Sequence, residues 1–342
     1  MTDTQNTTAP ASLVPEIRPE VWADLEQRYR KLEDTVRHYN PSANFQQIRA
    51  AFEFAAKAHG PQMRKDGSPF ITHPLAVAQI VAEMGLDCDA ILGALLHDCI
   101  EDTDASHEDI EKIFGPTVAE LVEGVTKLTR ANFSSSEQAQ MENLRKMFMA
   151  MAQDVRVILI KLCDRLHNMR TLQYQSEKKQ REKALETMEI YAPIAHRLGM
   201  QRIKWELEDI SLRYLDPIGY EEVEQELESI TTRNAQFFSN IQQQLEERLA
   251  ADGIQCKVYG RVKHIYSLYR KMYTQNKNFK EIFDLYAFRV IVPDIPSCYN
   301  VLGSIHDMYN PVLGRFKDYI GTPKPNGYQS LPVSYTHLTL PT

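Results

Sequence analysis

The sequence predicts a mainly α-helical protein in two parts, an all-helical region to residue 215 and a smaller α/β region from residue 251. Three observations carry this reading. Apolar residues recur at helical spacing across residues 44–215. A polar stretch rich in Glu and Gln follows at 220–250, and beyond Gly253 the pattern turns to short alternating or apolar runs separated by helices. At 342 residues the chain is long enough for two separate cores.

Each element has its own signal. Residues 1–20 lack the basic start and apolar run of a signal peptide and are expected to be a disordered lead-in. Phe45, Ile48, Phe52, Ala55 and Ala56 form one apolar stripe, closed by Gly60. Pro74 suits the first turn of a second helix, which runs through Leu75, Val77, Ile80 and Val81 to Gly85. Ser106 with Asp109 three residues later predicts a capping box, and Gly115 ends that helix. The run 155–162 is apolar enough for a buried strand. However, Val155, Ile158, Leu159, Leu162 and Leu166 fall at helical spacing, so a helix is expected. Residues 216–250 carry a thin apolar seam and read as a connector helix between domains rather than a core element. Ile254, Cys256 and Val258 then alternate as a strand, 264–273 reads as a helix, 287–292 as a buried strand and 298–309 as a helix. A loop rich in Gly, Pro and Lys covers 321–327. The expected domains are therefore 21–215 and 251–331, joined by the connector.

Composition excludes several classes of function. Apolar residues make up 43% and charged residues 25%, ordinary for a soluble globular protein. A formal charge of −7 argues against binding nucleic acid by bulk attraction. No apolar run approaches the roughly 20 residues that span a bilayer. Cys88, Cys99, Cys163, Cys256 and Cys298 are scattered, with no Cys-x-x-Cys pair. That pattern predicts reduced thiols in a cytoplasm and no cysteine-type zinc cluster.

One constellation carries chemistry. His97-Asp98 closes an apolar helix, with Glu101 and Asp102 each four residues further on and so on matching faces. Buried carboxylates are costly unless a cation compensates them, and a divalent metal does so. His73 opens a helix, and Asp164 shares a face with Lys161, Asn168 and Thr171. Two histidines with two carboxylates suit manganese or iron better than calcium. Such an ion lowers the pKa of a coordinated water, whose proton Glu101 or Asp102 is placed to accept. Singly, each residue has a plainer reading: a chance His-Asp pair, a capping histidine, a surface ion pair. Together they read as a metal site.

The order His73, His97-Asp98, Asp164 resembles the HD phosphohydrolase superfamily. The strings RKDGSPFITHP (64–74), LHDCIEDT (96–103) and DRLHNMRTL (164–172) resemble the hydrolase domain of long RelA/SpoT-family enzymes, which make and destroy guanosine tetra- and pentaphosphate. The resemblance implies removal of a 3′-pyrophosphate to give GDP or GTP, with manganese as the metal. His73, His97, Asp98 and Asp164 match its ligands, and Glu101-Asp102 matches the pair that activates water. Arg64 and Lys65 fall beside the phosphates, Asn168 and Thr171 in the nucleotide pocket.

The second region has a weaker signal of its own. Arg261, Lys263, His264 and Arg270 surround a strand-to-helix junction, a good setting for phosphates. Asp284 precedes a buried strand, as a magnesium ligand does, and Lys324, Asn326 and Tyr328 lie on a loop that can meet a phosphate and a base. Spacing alone does not choose between this and a solvated basic face. The strings resemble the family's nucleotidyltransferase-like synthetase domain, which moves the pyrophosphate of ATP onto GDP or GTP. That likeness implies ATP contacts at Arg261 and Lys263, Mg2+ at Asp284, nucleotide contacts at Lys324 and Asn326, and guanine stacking by Tyr328. Arg315 and Lys317 match the basic loop of bifunctional members. After Leu331 the family continues into strands that carry a glutamate needed for synthesis, whereas residues 332–342 resemble nothing in it. The expectation is an intact hydrolase, a disabled synthetase and a non-native tail. Nucleotide partners are expected, with neither membrane nor direct nucleic-acid contact.

Overall fold

The computed structural model describes residues 19–129, 145, 149, 153–276, 279, 285–324 and 327–335. It is mainly helical, and its two compact units divide between Leu215 and Asp216.

The regular elements of the first unit are all helical among its described residues, with one isolated β-bridge between Met63 and Pro69. Its elements are α1 (Pro19–Tyr39), α2 (Phe45–His59), α3 (Thr72–Glu83), α4 (Cys88–Leu96), α5 (Cys99–Asp102), α6 (His107–Phe114) and α7 (Pro116–Thr129). After these come α8 (Val155–Arg170), α9 (Glu177–Glu186), α10 (Ala192–Arg197) and α11 (Gln201–Leu215). Local chemistry sets the helix starts. Asn44, Asp87 and Asp154 each accept a bond from a backbone N–H of the first turn, and Ser106 with Asp109 forms the expected capping box. Each cap contributes about 1 kcal/mol. Residues 90–96 of α4 are all buried, so this helix is the axis around which the others pack. Gly93 permits that: a Cβ there would stand 3.1 Å from Ile160 Cδ1 and 3.4 Å from Leu121 Cβ, so α4 closes against α7 and α8.

The run 155–162 is helical, as its spacing predicts, but its buried face is wider than the predicted stripe. Residues 160–166 are buried without interruption, Lys161 and Asp164 included, while Val155 at the first turn is 45% exposed. A π-helical turn at Thr187–Tyr191 joins α9 to α10. It places Glu186 in a double hydrogen bond from Arg165 (3.0 Å each) and the Tyr191 ring 4.1 Å from the same guanidinium. Burial opposes charge on Glu186, but Arg165 and Lys183 outweigh it and hold its carboxyl below the ordinary value of 4.5. A depressed carboxyl stabilises the fold above its ordinary value and loses that contribution as pH falls through the folded value. Glu186→Gln is therefore expected to cost about 2 kcal/mol at neutral pH. Its deficit against the wild type should shrink in acid, which melts at pH 7 and pH 4 would check.

The second unit comprises α12 (Pro217–Ala251), β1 (Lys257–Val262), α13 (Ile265–Tyr269), β2 (Tyr286–Ile291) and α14 (Ile295–Met308), with a π-helical turn at Arg270–Thr274 extending α13. The strands pair antiparallel, Lys257 opposite Ile291 and Val262 opposite Tyr286. The expected helix over 216–250 is present as α12, and it contributes to two small cores. Near its start α12 gives Val223, Leu227 and Ile230 to a cluster with Leu268 and Leu285; near its end Ile241, Leu245 and Leu249 pack with Val258 and Val301. Its seam is thin because two small cores share it. The strand begins at Lys257, later than the alternation suggests, because Ile254 N–H bonds the Leu249 carbonyl and ends the helix. Helix α14 starts early, at Ile295, where Asp294 caps it and Pro296 enters its first turn. Beyond it, residues 312–319 and 330–334 run side by side. Val312, Lys317 and Tyr319 donate N–H bonds to the carbonyls of Ser334, Pro332 and Ser330. No described helix is long and apolar enough to cross a membrane.

Candidate metal centre

Three helical segments of the first unit converge on one point. His73 is the second residue of α3, anchored by its N–H to the Phe70 carbonyl. His97 and Asp98 form the junction between α4 and α5, and Asp164 comes from the middle of α8. The expected continuous helix through His97-Asp98 is broken there. Adjacent side chains on a helix diverge by about 100°, yet His97 Nε2 and Asp98 Oδ1 still come within 3.2 Å of each other. The Asp102 N–H still bonds the Asp98 carbonyl at 2.9 Å, so Glu101 and Asp102 follow in a single turn.

The donor atoms lie close together. His73 Nε2 is 3.2 Å from Asp164 Oδ1 and 3.5 Å from Asp98 Oδ2; His97 Nε2 is 3.2 Å from Asp98 Oδ1 and 3.9 Å from Asp164 Oδ1. One donor atom each from His73, His97 and Asp164 lies within 4.8 Å of the others, and all three residues are buried. His97 Nδ1 sits 2.8 Å from the Ala94 carbonyl, which only accepts, so that nitrogen carries the proton. Its Nε2 is then a bare lone pair, buried and without a hydrogen-bond partner. A buried acceptor of this kind fits a cation.

Electrostatics hold the carboxylate ready. Burial opposes charge on Asp164, but Lys161 and the two histidines outweigh it and hold the carboxyl well below its ordinary value. Lys161 Nζ lies 2.6 Å from Asp164 Oδ2, and Asn168 donates to Oδ1. Burial and then the charge of Asp98 push Asp102 up. Burial lowers His73, and burial with His73 and Arg64 beside it lowers His167 to about 3.

Beside this cluster opens a cavity of about 380 Å³. Its lining includes Asp164, Lys161, Asn168 and Thr171, with Arg64, Lys65 and, from α9, Lys179 and Lys183. Arg64 and Lys65 reach it from a tight turn, in which Gly67 at φ +81° returns the chain so that Arg64 N–H meets the Ser68 carbonyl. Arg64 Nη2 donates to Thr171 Oγ1 (3.1 Å) and Lys65 Nζ to Gln175 Oε1 (2.6 Å). Burial lowers the pKa of Arg64. Lysines and arginines outnumber the acidic residues Asp66, Asp164 and Glu182 in its lining, and a pocket of this volume with a net positive lining suits a polyphosphate.

In the second unit, Asp284 and Asn326 lie outside the described residues. Arg261 stands near the end of β1, and Lys263 N–H bonds the Leu285 carbonyl. Arg315 and Lys317 are exposed on the 312–319 segment. The structure does bring Lys324 and Tyr328 together. Lys324 Nζ lies 5.3 Å from the Tyr328 ring centre and 4.5 Å from that of Tyr319.

Comparison with known proteins gives these sites a context. Residues 51–201 match the family described as an HD domain, and residues 260–339 match a region found in RelA and SpoT proteins. The chain is 49% identical over 306 residues to the bifunctional (p)ppGpp synthase/hydrolase SpoT of Escherichia coli K12, covering 90% of this chain and 44% of that protein. The chain belongs to the RelA/SpoT family. Two further relatives are a GTP pyrophosphokinase of Myxococcus xanthus, 48% identical over 87% of this chain and 40% of its own, and a guanosine-3′,5′-bis(diphosphate) 3′-pyrophosphohydrolase of Haemophilus influenzae, 49% identical over 82% of this chain and 41% of its own. The chain spans less than half the length of these curated relatives.

An HD domain implies a divalent metal, and His73, His97 and Asp164 form a possible site for one in this RelA/SpoT chain. Two neighbours of the cluster have no role in the sequence reading. The residue pattern puts Lys161 on the Asp164 face without a role, and it assigns none to His167, whose Nδ1 lies 2.7 Å from His73 Nδ1. Their spacing of three residues on either side of Asp164, on a buried helix, was the available signal.

Proposed function

We propose that the helical unit is a metal-dependent guanosine-3′,5′-bis(diphosphate) 3′-pyrophosphohydrolase, converting guanosine tetra- or pentaphosphate and water to GDP or GTP and pyrophosphate. The observation that carries this reading is the meeting of a buried His/Asp cluster with a cationic cavity of nucleotide size. The names of the E. coli and H. influenzae relatives support the substrate. His73, His97, Asp98 and Asp164 would hold the ion, for which we assign manganese on the imidazole and carboxylate donors. When bound, such an ion polarises a phosphoryl oxygen and lowers the pKa of water. Arg64 and Lys65 neutralise the phosphates, Thr171 steadies Arg64, and Asn168 holds the Asp164 carboxylate. Glu101 and Asp102 take the proton of the attacking water, and the raised pKa of Asp102 brings it nearer the range of a useful base. The water oxygen ends on the departing pyrophosphate, and a proton passes to the 3′ oxygen.

The test is pyrophosphate release from guanosine tetraphosphate with Mn2+, for the wild type and Asp98→Ala. A loss of at least about a hundredfold is expected, since even outer partners of a metal site are worth ten- to hundredfold. Equal rates would refute the ligand assignment.

For the second unit we infer nucleotide binding of the GTP pyrophosphokinase type, with ATP as donor, Mg2+ at Asp284, Arg261 and Lys263 on the ATP phosphates and Tyr328 on the guanine. The M. xanthus relative supports it, as does the contact of Lys324 with Tyr328, where a base and a phosphate would meet. Incubation with ATP, GDP and Mg2+, read for guanosine tetraphosphate, tests whether the unit transfers pyrophosphate as well as binding nucleotides. The five free cysteines support a cytoplasmic location.

A further inference from the structure

We infer that His167 is a positioning residue for His73, accepting the His73 Nδ1–H on its own Nδ1 and thereby committing His73 Nε2 to the ion. The inference rests on the metal reading above and deepens it.

The two rings meet at Nδ1, 2.7 Å apart, while His73 Nε2 on the far side of its ring faces Asp164 at 3.2 Å and Asp98 at 3.5 Å. Two ring nitrogens at that distance share one proton, so one donates and the other accepts. If His167 donates, neutral His73 carries its own proton on Nε2, where it points at Asp164 and blocks ligation. If His73 donates, Nε2 is a bare lone pair aimed at the carboxylates, and the His167 proton sits on its own Nε2.

The two arrangements hold the same number of protons, and both rings are neutral in each. His73 can therefore pass from a hydrogen bond with Asp164 to an ion without a net change of charge in the pair. His97 is held differently. Its Nδ1 partner is a carbonyl, which can only accept, so the neutral ring carries its proton on Nδ1 and leaves Nε2 as the lone pair. One ligand is thus preset, and the other is set by a partner able both to donate and to accept. The fold supplies that partner economically, because His167 lies three residues after Asp164 on the same face of α8.

Two measurements on the whole chain test this, neither of them activity. The first is long-range 1H–15N correlation of histidine rings with diamagnetic Zn2+ bound. It should show His73 protonated on Nδ1 and His167 protonated on Nε2; a His167 protonated on Nδ1 overturns the inference. The second is Mn2+ affinity, read from the free-ion EPR signal. His167→Phe should bind about tenfold or more weakly. His167→Gln, whose side-chain carbonyl can accept from His73, should recover most of the loss, a rescue that a merely space-filling role would not give. His167→Phe and wild type binding equally well overturns the inference alone. A wild type that binds no Mn2+ overturns the metal reading and this inference with it.

Discussion

Asp164→Ala is expected to abolish Mn2+-dependent pyrophosphate release and, before any metal is added, to lower the Tm of the helical unit. The second effect follows from what surrounds the carboxylate. Lys161 is only 6% exposed, and its ammonium sits 2.6 Å from Asp164 Oδ2. Removing one partner of a buried pair leaves the other charge uncompensated, at a cost of about 3–5 kcal/mol. For a unit of this size that is a fall of roughly 10 °C. The pH signs agree at neutrality. The depressed carboxyl of Asp164 stabilises above its ordinary value of 3.8 and loses that contribution as pH falls through the folded value. Burial works against the Lys161 charge, but Asp164 outweighs it and raises the ammonium. Its contribution is therefore full below 10.5 and lost only as pH rises through the folded value. Calorimetry of Asp164→Ala and of the double variant with Lys161→Met separates the two losses. The double variant should regain most of the stability, because a neutral apolar chain replaces the stranded charge, and none of the turnover. If Asp164→Ala melts like the wild type, the ion pair does not contribute as its burial implies.

The same pair shows how far residue patterns reach. The cluster of His73, His97, Asp98 and Asp164 was legible as a candidate because metal chemistry restricts the side chains that can serve, and the fold brings the four together. The break between α4 and α5 was not. Apolar residues continue on both sides of His97-Asp98, through Leu95-Leu96 and Cys99-Ile100, and no Gly or Pro marks the turn. Helix α8 was recognised by its period, but a stripe of four or five residues understates a helix buried on nearly all sides, where even Lys161 and Arg165 are inside. Helix α12 shows a different limit. Its apolar positions are few at any one turn, because Val223 and Leu249 serve separate small clusters, and a pattern cannot say how many cores share a seam. His167 was hidden for a different reason. Its role lies in a contact across 94 residues of sequence, to the face of His73 turned away from the carboxylates.

His97→Leu should separate ligation from folding, because here the two losses are expected to part. Without metal, the His97 imidazole contributes one bond to the Ala94 carbonyl but leaves Nε2 buried and unsatisfied. Losing the bond costs about 1 kcal/mol, while removing the unsatisfied atom relieves a penalty of about 1–3 kcal/mol. Leucine fills a similar volume in a site already walled by apolar α4, so the metal-free variant should melt within about 4 °C of the wild type. Adding Mn2+ should then divide them. An ion at a hundred times its dissociation constant stabilises the wild type by about 2.7 kcal/mol, and a chain lacking the preset lone pair gains little of that. Melts with Mn2+ and with a chelator would show a shift in the wild type and almost none in His97→Leu, with pyrophosphate release lost. An equal Mn2+ shift in both chains would remove His97 from the ligand set. Asp164→Ala should be unstable with or without the ion, since that carboxylate has a structural partner in Lys161. For His97, Nε2 has no hydrogen-bond partner among the described residues, and in the proposed reading an ion would complete it.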